Sequence, residues 1–261
     1  MPNNTEVFSG KNLIRTFGHG KKMFRAIDDI SLDIVDQEIV SLVGGSGCGK
    51  SVLAKIMLGL IKPSSGTFLY KGQPITNQRL HWREVQPVFQ DPFSCFNQFF
   101  TIRSQLKSSF GIMKEKPSKK EIEERVDQAL MAVNIVPSEI DGKYPFELSG
   151  GQMQRMLLAR IFILRPTVLI ADEPTSMVDA CVRANILDYL MKLKKELKMT
   201  IVFITHDIGL AYYVSDRIFI MHKGKIVEHG APDDVALRPK NEHTIKLLDD
   251  IPDIHKDWIS R

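Results

Sequence analysis

Gly44-Gly45-Ser46-Gly47-Cys48-Gly49-Lys50-Ser51 matches the phosphate-cradling pattern G-x-x-x-x-G-K-[ST] at every fixed position. Ahead of it, Glu38-Ile39-Val40-Ser41-Leu42-Val43 reads as a buried strand; behind it, Val52-Leu53-Ala54-Lys55-Ile56-Met57-Leu58 reads as a helix. Strand, loop and helix is the context that separates this motif from a glycine-rich turn. Glycines let backbone N–H groups close around phosphate oxygens, and the helix N-terminus adds partial positive charge at the same point. In that arrangement Lys50 reaches the outer phosphates and the Ser51 hydroxyl binds Mg²⁺. The sequence therefore implies a nucleoside triphosphate site over Gly44–Ser51.

Composition limits the class. A chain of 261 residues suffices for one large or two small domains with a real core. The net charge of +4 is mild, and no basic face emerges from the spacing. The longest apolar stretch, Ile161 to Ala171, is broken by Arg165 and Pro166 and is too short to span a bilayer. The polar opening, Met1 to Thr5, does not read as a signal peptide. Cys48, Cys95 and Cys181 are scattered and odd in number, which argues against a disulfide framework or a metal cluster and for a reducing cytoplasm.

Along the chain, apolar runs at Ser31–Ile34, Ile39–Val43 and Thr67–Tyr70 predict strands, punctuated by Pro63-Ser64-Ser65-Gly66 and Lys71-Gly72-Gln73-Pro74. Ser118 and Glu121 form a capping box, after which Ile122, Val126, Ala129, Leu130 and Val133 share one helical face. A strand at Thr167–Ala171, helices over Cys181–Leu197 and Ile208–Val214, and strands at Thr200–Ile204, Arg217–Met221 and Lys225–Glu228 complete the reading, the last pair turning at Lys223-Gly224. Strands alternating with helices around a phosphate loop imply an α/β fold with a parallel-sheet core, and the helical middle is an insertion of about residues 93–163.

Val168-Leu169-Ile170-Ala171-Asp172-Glu173 is an apolar strand ending in two carboxylates. Asp172, at a strand end beside a phosphate loop, suits Mg²⁺; Glu173 then stands where a base polarises the attacking water, or is a surface carboxylate at a strand-to-loop turn. Between loop and acidic strand lies Leu148-Ser149-Gly150-Gly151-Gln152, in which Ser149 also suits a helix N-cap. With these elements the chain resembles the ATP-binding-cassette (ABC) ATPases, whose signature reads LSGGQ. The resemblance runs from about Leu13 to Pro252 and implies one nucleotide-binding domain with an antiparallel β subdomain, the helical insertion and a C-terminal extension over about residues 231–261. It also implies that Ser149, Gly150, Gly151 and Gln152 serve not their own phosphate loop but that of a second subunit, so that nucleotide is shared across a head-to-tail dimer.

The same resemblance assigns further roles. Gln90, in Val88-Phe89-Gln90-Asp91-Pro92, matches a glutamine loop that contacts Mg²⁺ and the attacking water and connects to a membrane partner. His206, in Thr205-His206-Asp207, matches a switch histidine on the γ-phosphate. Asp179, in Ser176-Met177-Val178-Asp179, matches a loop usually written SALD, with an apolar Met-Val pair in place of Ala-Leu. Phe17 lies where an adenine-stacking aromatic is expected; Phe24 competes for that role, and either ring also suits the core.

Within the family, Gln90-Asp91-Pro92-Phe93-Ser94-Cys95-Phe96-Asn97 is similar to the QDPxxSLNP stretch of oligopeptide, dipeptide and nickel importers, with Gln98 in place of the following proline. Thr244-Ile245-Lys246-Leu247-Leu248 with Ile251-Pro252 resembles their HPYT…LL…IP tail, and the cysteine-rich tail of many members is missing. The resemblance thus implies an ATPase subunit peripheral to the cytoplasmic face of a membrane, using ATP and Mg²⁺. Its implied partners are a second ATPase subunit, sibling or identical, two membrane permease subunits and, indirectly, an extracytoplasmic binding protein. Phe93, Phe96, Phe99 and Phe100 either line the groove for a membrane subunit's coupling helix or form the insertion's own core. A soluble scaffold ATPase shares every nucleotide motif and remains the rival class. The gap between Gln90 and Leu148 is too short for the coiled coils of the DNA-acting relatives, so no nucleic-acid partner is implied.

Overall fold

The computed structural model describes residues 5–114, 117–176 and 180–249. The chain divides into two compact units, Met1–Thr76 with Val202–Arg261, and Asn77–Ile201.

The first unit opens with an antiparallel sheet of order β2-β1-β4, formed by β1 (Glu6–Phe17), β2 (Phe24–Val35) and β4 (Ser65–Tyr70). β1 departs from simple alternation: Val7, Phe8, Gly10 and Leu13 are all buried, and the register shifts between Gly10 and Leu13 against β2 and between Lys11 and Ile14 against β4. Asn12 sits inside that irregularity at φ +50, a conformation asparagine tolerates well, and its N–H donates to Ser31 Oγ at 3.0 Å.

The same unit carries β3 (Ile39–Val43), buried at all five positions, in parallel register with β8 (Arg217–His222), which turns back antiparallel as β9 (Lys225–Gly230). β7 (Thr200–Thr205), whose last four residues belong to this unit, lies on the other side of β3. The β8–β9 turn uses Lys223 and Gly224, both at positive φ, as a tight hairpin of matching twist requires. Helix α1 (Lys50–Met57) follows β3; α7 (Ile208–Val214), α8 (Pro232–Leu237) and α9 (Glu242–Asp249) complete the unit. Ile208 and Ala211 of α7, Val235 and Ala236 of α8 and Leu248 of α9 share one core with Val43, Ile218 and Ile220. Arg217 joins the layers through Asp33 (3.0 Å) and Glu38 (2.8 Å). Burial pushes the Glu38 carboxyl above the usual range, against the opposing pull of the Val35 N–H and of Arg217.

The second unit holds α2 (Gln78–Glu84), β5 (Val85–Val88), α3 (Ile102–Ser108), α4 (Lys119–Ala132), α5 (Gly150–Leu164), β6 (Val168–Asp172) and α6 (Ala180–Leu197). β5 and β6 are parallel, Val85 opposite Val168 and Val88 opposite Ala171. α4 begins at the Ser118–Glu121 capping box, with Val126, Ala129 and Leu130 buried. Arg103 on α3 reaches Glu123 and Asp127 on α4 and Asp141 beyond it (3.0, 2.6 and 3.2 Å). Tyr189 of α6 donates its hydroxyl to the Val133 carbonyl at 3.2 Å. The helices of this unit thus cohere through a buried apolar seam and an arginine-centred ion cluster.

Candidate functional site

In the first unit, Gly44–Gly49 connects the buried end of β3 to α1. Two of its glycines are structural. A Cβ at Gly44 would overlap the Met221 carbonyl oxygen. Gly49 has φ +110, and a Cβ there would overlap the Ala26 carbonyl oxygen. Gly45 is different: nothing lies within 4 Å of where its Cβ would be. The loop is seated by backbone bonds from its neighbours, Gly224 N–H to the Cys48 carbonyl (2.9 Å) and Asp28 N–H to the Gly224 carbonyl (2.8 Å).

Lys50 is buried beneath the loop, its ammonium donating to the Gly44 and Gly45 carbonyls at 2.7 and 3.1 Å. Gly45, Ser46, Gly47 and Ser51 are exposed above it, while Cys48 faces inward. The first turn of α1 has N–H groups without intrahelical acceptors, which are free to meet an anion. An exposed glycine loop, a helix N-terminus and a subjacent ammonium supply the donors a polyphosphate requires, and the exposed Ser51 hydroxyl suits its Mg²⁺.

Phe17 and Phe24 face each other across the β1–β2 pair, ring centroids 5.8 Å apart, with the Arg15 guanidinium 4.7 Å from the Phe17 centroid. Phe24 is 59% exposed, so the core role does not hold for it. His206 is exposed at the β7–α7 junction. Asp207, the α7 N-cap, fixes that junction: its N–H donates to Thr205 Oγ1 (3.0 Å) and its Oδ1 accepts from Leu210 N–H (3.1 Å).

In the second unit the parallel register decides which side chains meet. Val88 lies opposite Ala171, so Gln90 and Glu173, each two residues further on, emerge together, and Gln90 Nε2 stands 3.4 Å from Glu173 Oε2. Glu173 follows Asp172, the last residue of β6, and adopts φ +47, a left-handed conformation shared by eight other non-glycine residues among those described. Its carbonyl accepts from Ser176 N–H (3.2 Å) and Ser176 Oγ (3.0 Å), which closes the turn. Ser149 caps α5 reciprocally with Gln152: Gln152 N–H donates to Ser149 Oγ at 3.3 Å, and Ser149 N–H to Gln152 Oε1 at 3.0 Å. Gly150 and Gly151, with no side chains, leave the first turn of α5 bare. Asp179 lies outside the described residues.

The family model described as ABC transporter matches residues 27–176, more than half of the chain and the whole span from the phosphate loop to the acidic turn. The chain belongs to the ABC transporter family. Among curated ABC relatives, the oligopeptide transport ATP-binding protein OppF of Escherichia coli is 33% identical over 252 residues, covering 95% of this chain and 74% of that protein. AppF of Bacillus subtilis, also named an oligopeptide transport ATP-binding protein, is 36% identical over 234 residues, covering 87% and 70%. The ATP-binding cassette MJ0796, solved as a dimer in a post-hydrolysis state with ADP and Pi, superposes at TM-score 0.76 with 26% identity, covering 86% of this chain and 98% of that one. CbiO1 of Clostridium perfringens, part of the ABC transporter complex CbiONQ, superposes at 0.78 with 30% identity, covering 90% and 92%. Among the described residues of this ABC protein, no helix is long and apolar enough to cross a membrane.

Some residues that shape the site carry no motif of their own. Met221 and Gly224 of the β8–β9 hairpin seat the phosphate loop. Gln154 on α5, 1% exposed, donates Nε2 to the Pro174 carbonyl at 2.8 Å. Arg160 on the same helix donates to the Cys95 carbonyl at 3.2 Å and lies over Phe96 at 4.3 Å. The one available signal for Gln154 is a polar residue inside the buried stripe Met153, Met156, Leu157.

Proposed function

We propose that the chain is the ATP-hydrolysing subunit of a membrane importer, that its two units form one nucleotide-binding domain, and that the cargo is an oligopeptide. The observation that carries the ATPase reading is the loop Gly44–Ser51, exposed above a buried Lys50 whose ammonium rests on the loop's own carbonyls. The names of the curated relatives support the cargo. Lys50 exchanges those carbonyls for phosphate oxygens on binding. Ser51, Asp172 and Gln90 would hold Mg²⁺, which would supply charge neutralisation on the phosphate oxygens. Glu173 orients water for attack on the γ-phosphate, and Gln90, already beside it, fixes the carboxylate. His206 and Lys50 stabilise the charge that spreads over the γ-phosphate oxygens.

The bare N-terminus of α5, with Ser149, Gly150, Gly151 and Gln152, completes the site of a second ATPase subunit. Phe17, paired with Phe24, stacks on adenine. The exposed Phe99 and Phe100 receive a permease subunit at the cytoplasmic face of the membrane. Closure and opening of the ATPase pair then drive the permease between two states.

The test is Glu173→Gln. ATP affinity is expected within about twofold of the unsubstituted chain while turnover falls by at least about a hundredfold, the scale of a lost general base. Wild-type turnover in this variant, measured by phosphate release, removes Glu173 from that role.

A further inference from the structure

We propose that Gln154 is a positioning residue that ties the first turns of α5 to the backbone immediately after Glu173, making the signature helix and the hydrolytic turn one mechanical piece. The inference rests on the proposed role of Glu173. Three observations carry it. Gln154 is almost wholly buried, yet it is polar and lies on a helix whose neighbouring residues Met153, Met156 and Leu157 are buried and apolar. A buried amide in such a setting is destabilising unless its hydrogen bonds are made. Its Nε2 donates at 2.8 Å to the Pro174 carbonyl, one residue past Glu173. Glu173 itself sits at φ +47, a conformation that costs an L-residue some strain, so contacts from its neighbours are what hold it there.

Ser176 closes the turn from its far side by donating twice to the Glu173 carbonyl. Gln154 grips it from the helix side. The Glu173 carboxylate therefore points toward Gln90 because its backbone is clamped on both sides.

A second contact has the same logic. Arg160, further along α5, donates to the Cys95 carbonyl, five residues after Gln90. One helix thus holds the segments that follow both members of the Gln90–Glu173 pair. A displacement of the α5 N-terminus, where Ser149 is the cap, is passed by Gln154 to the turn that aims the carboxylate.

Gln154→Met removes the donor at nearly constant volume. In the full chain, kcat for ATP hydrolysis is expected to fall about tenfold with KM within about twofold, the pattern of a misaimed group rather than lost nucleotide binding. Because Gln154 acts through Glu173, adding Gln154→Met to Glu173→Gln is expected to leave the residual turnover of the latter unchanged. Should Gln154→Met unfold the chain at assay temperature, Gln154→Asn, which keeps the amide but falls short of the Pro174 carbonyl, takes its place in both comparisons. A kcat equal to the unsubstituted chain, a loss confined to KM, or a multiplicative loss in the double variant overturns the proposal. If the unsubstituted chain itself releases no phosphate from ATP, the ATPase reading fails instead.

Discussion

The phosphate loop uses its glycines for two purposes, and the distinction is testable. Gly49 sits at φ +110 with the Ala26 carbonyl where a Cβ would go, so Gly49→Ala forces both strained backbone and overlap with main chain. A loss of about 2–5 kcal/mol of stability is expected from strain and overpacking together, read as the urea midpoint shift multiplied by m. Gly45→Ala meets nothing within 4 Å and is expected to cost less than about 0.5 kcal/mol. Its added methyl instead occupies the space that a phosphate needs, so nucleotide affinity drops while the melting curve barely moves. The motif was legible because spacing and residue type are local properties. Which glycine serves packing and which serves ligand was not, because Met221 and Ala26, the atoms that decide it, come from β8 and β2.

Among the elements, α5 carries the most of the proposed roles. Its cap is ordinary chemistry: Ser149→Ala removes the acceptor for Gln152 N–H and is expected to cost about 1 kcal/mol of stability. Ser149→Arg tests the proposed shared site. An arginine at the bare helix start is expected to block nucleotide-dependent dimerisation, seen by light scattering in a Glu173→Gln background. The phosphate loop belongs to the other unit, so nucleotide binding to the monomer is expected to persist. Dimers of unchanged affinity would show that this helix start faces no partner.

The helix itself was open to reading because Ser149 and Gln152 form a local capping pattern, as Ser118 and Glu121 do for α4. β1 escaped because its irregularity at Asn12 breaks the period-two alternation on which a strand is recognised. The seven-residue α2 escaped because its apolar residues, Leu80 and Trp82, are both exposed and form no buried stripe, whereas α7, of the same length, carries Ile208, Ala211 and Val214 on one face. The meeting of Gln90 with Glu173 depends on parallel register between strands about 80 residues apart, a long-range fact that no window of sequence contains.

For the molecule as a working part of a larger machine, the aromatic cluster after Gln90 separates into two populations. Phe96 is 4% exposed beneath Arg160 and belongs to the core of its own unit. Phe99 and Phe100 are 87% and 57% exposed, and adjacent bulky rings so open to water contribute little to the fold that carries them. Replacing both with serine is therefore expected to leave the melting temperature within about 2 °C, since exposed substitutions stay within roughly 0.5 kcal/mol. If these rings receive the permease, as proposed, the same double variant loses its membrane partners when detergent extracts are purified through a tag on this chain. Phe96→Ser is the opposing control: it opens a buried cavity under Arg160 and is expected to lower stability by about 3–5 kcal/mol before any partner is considered. Retention of the permease by the Phe99–Phe100 double variant would assign the exposed rings to some other contact, whereas no membrane partner recovered even with the unsubstituted chain would make the soluble-scaffold class of cassette ATPases the better account.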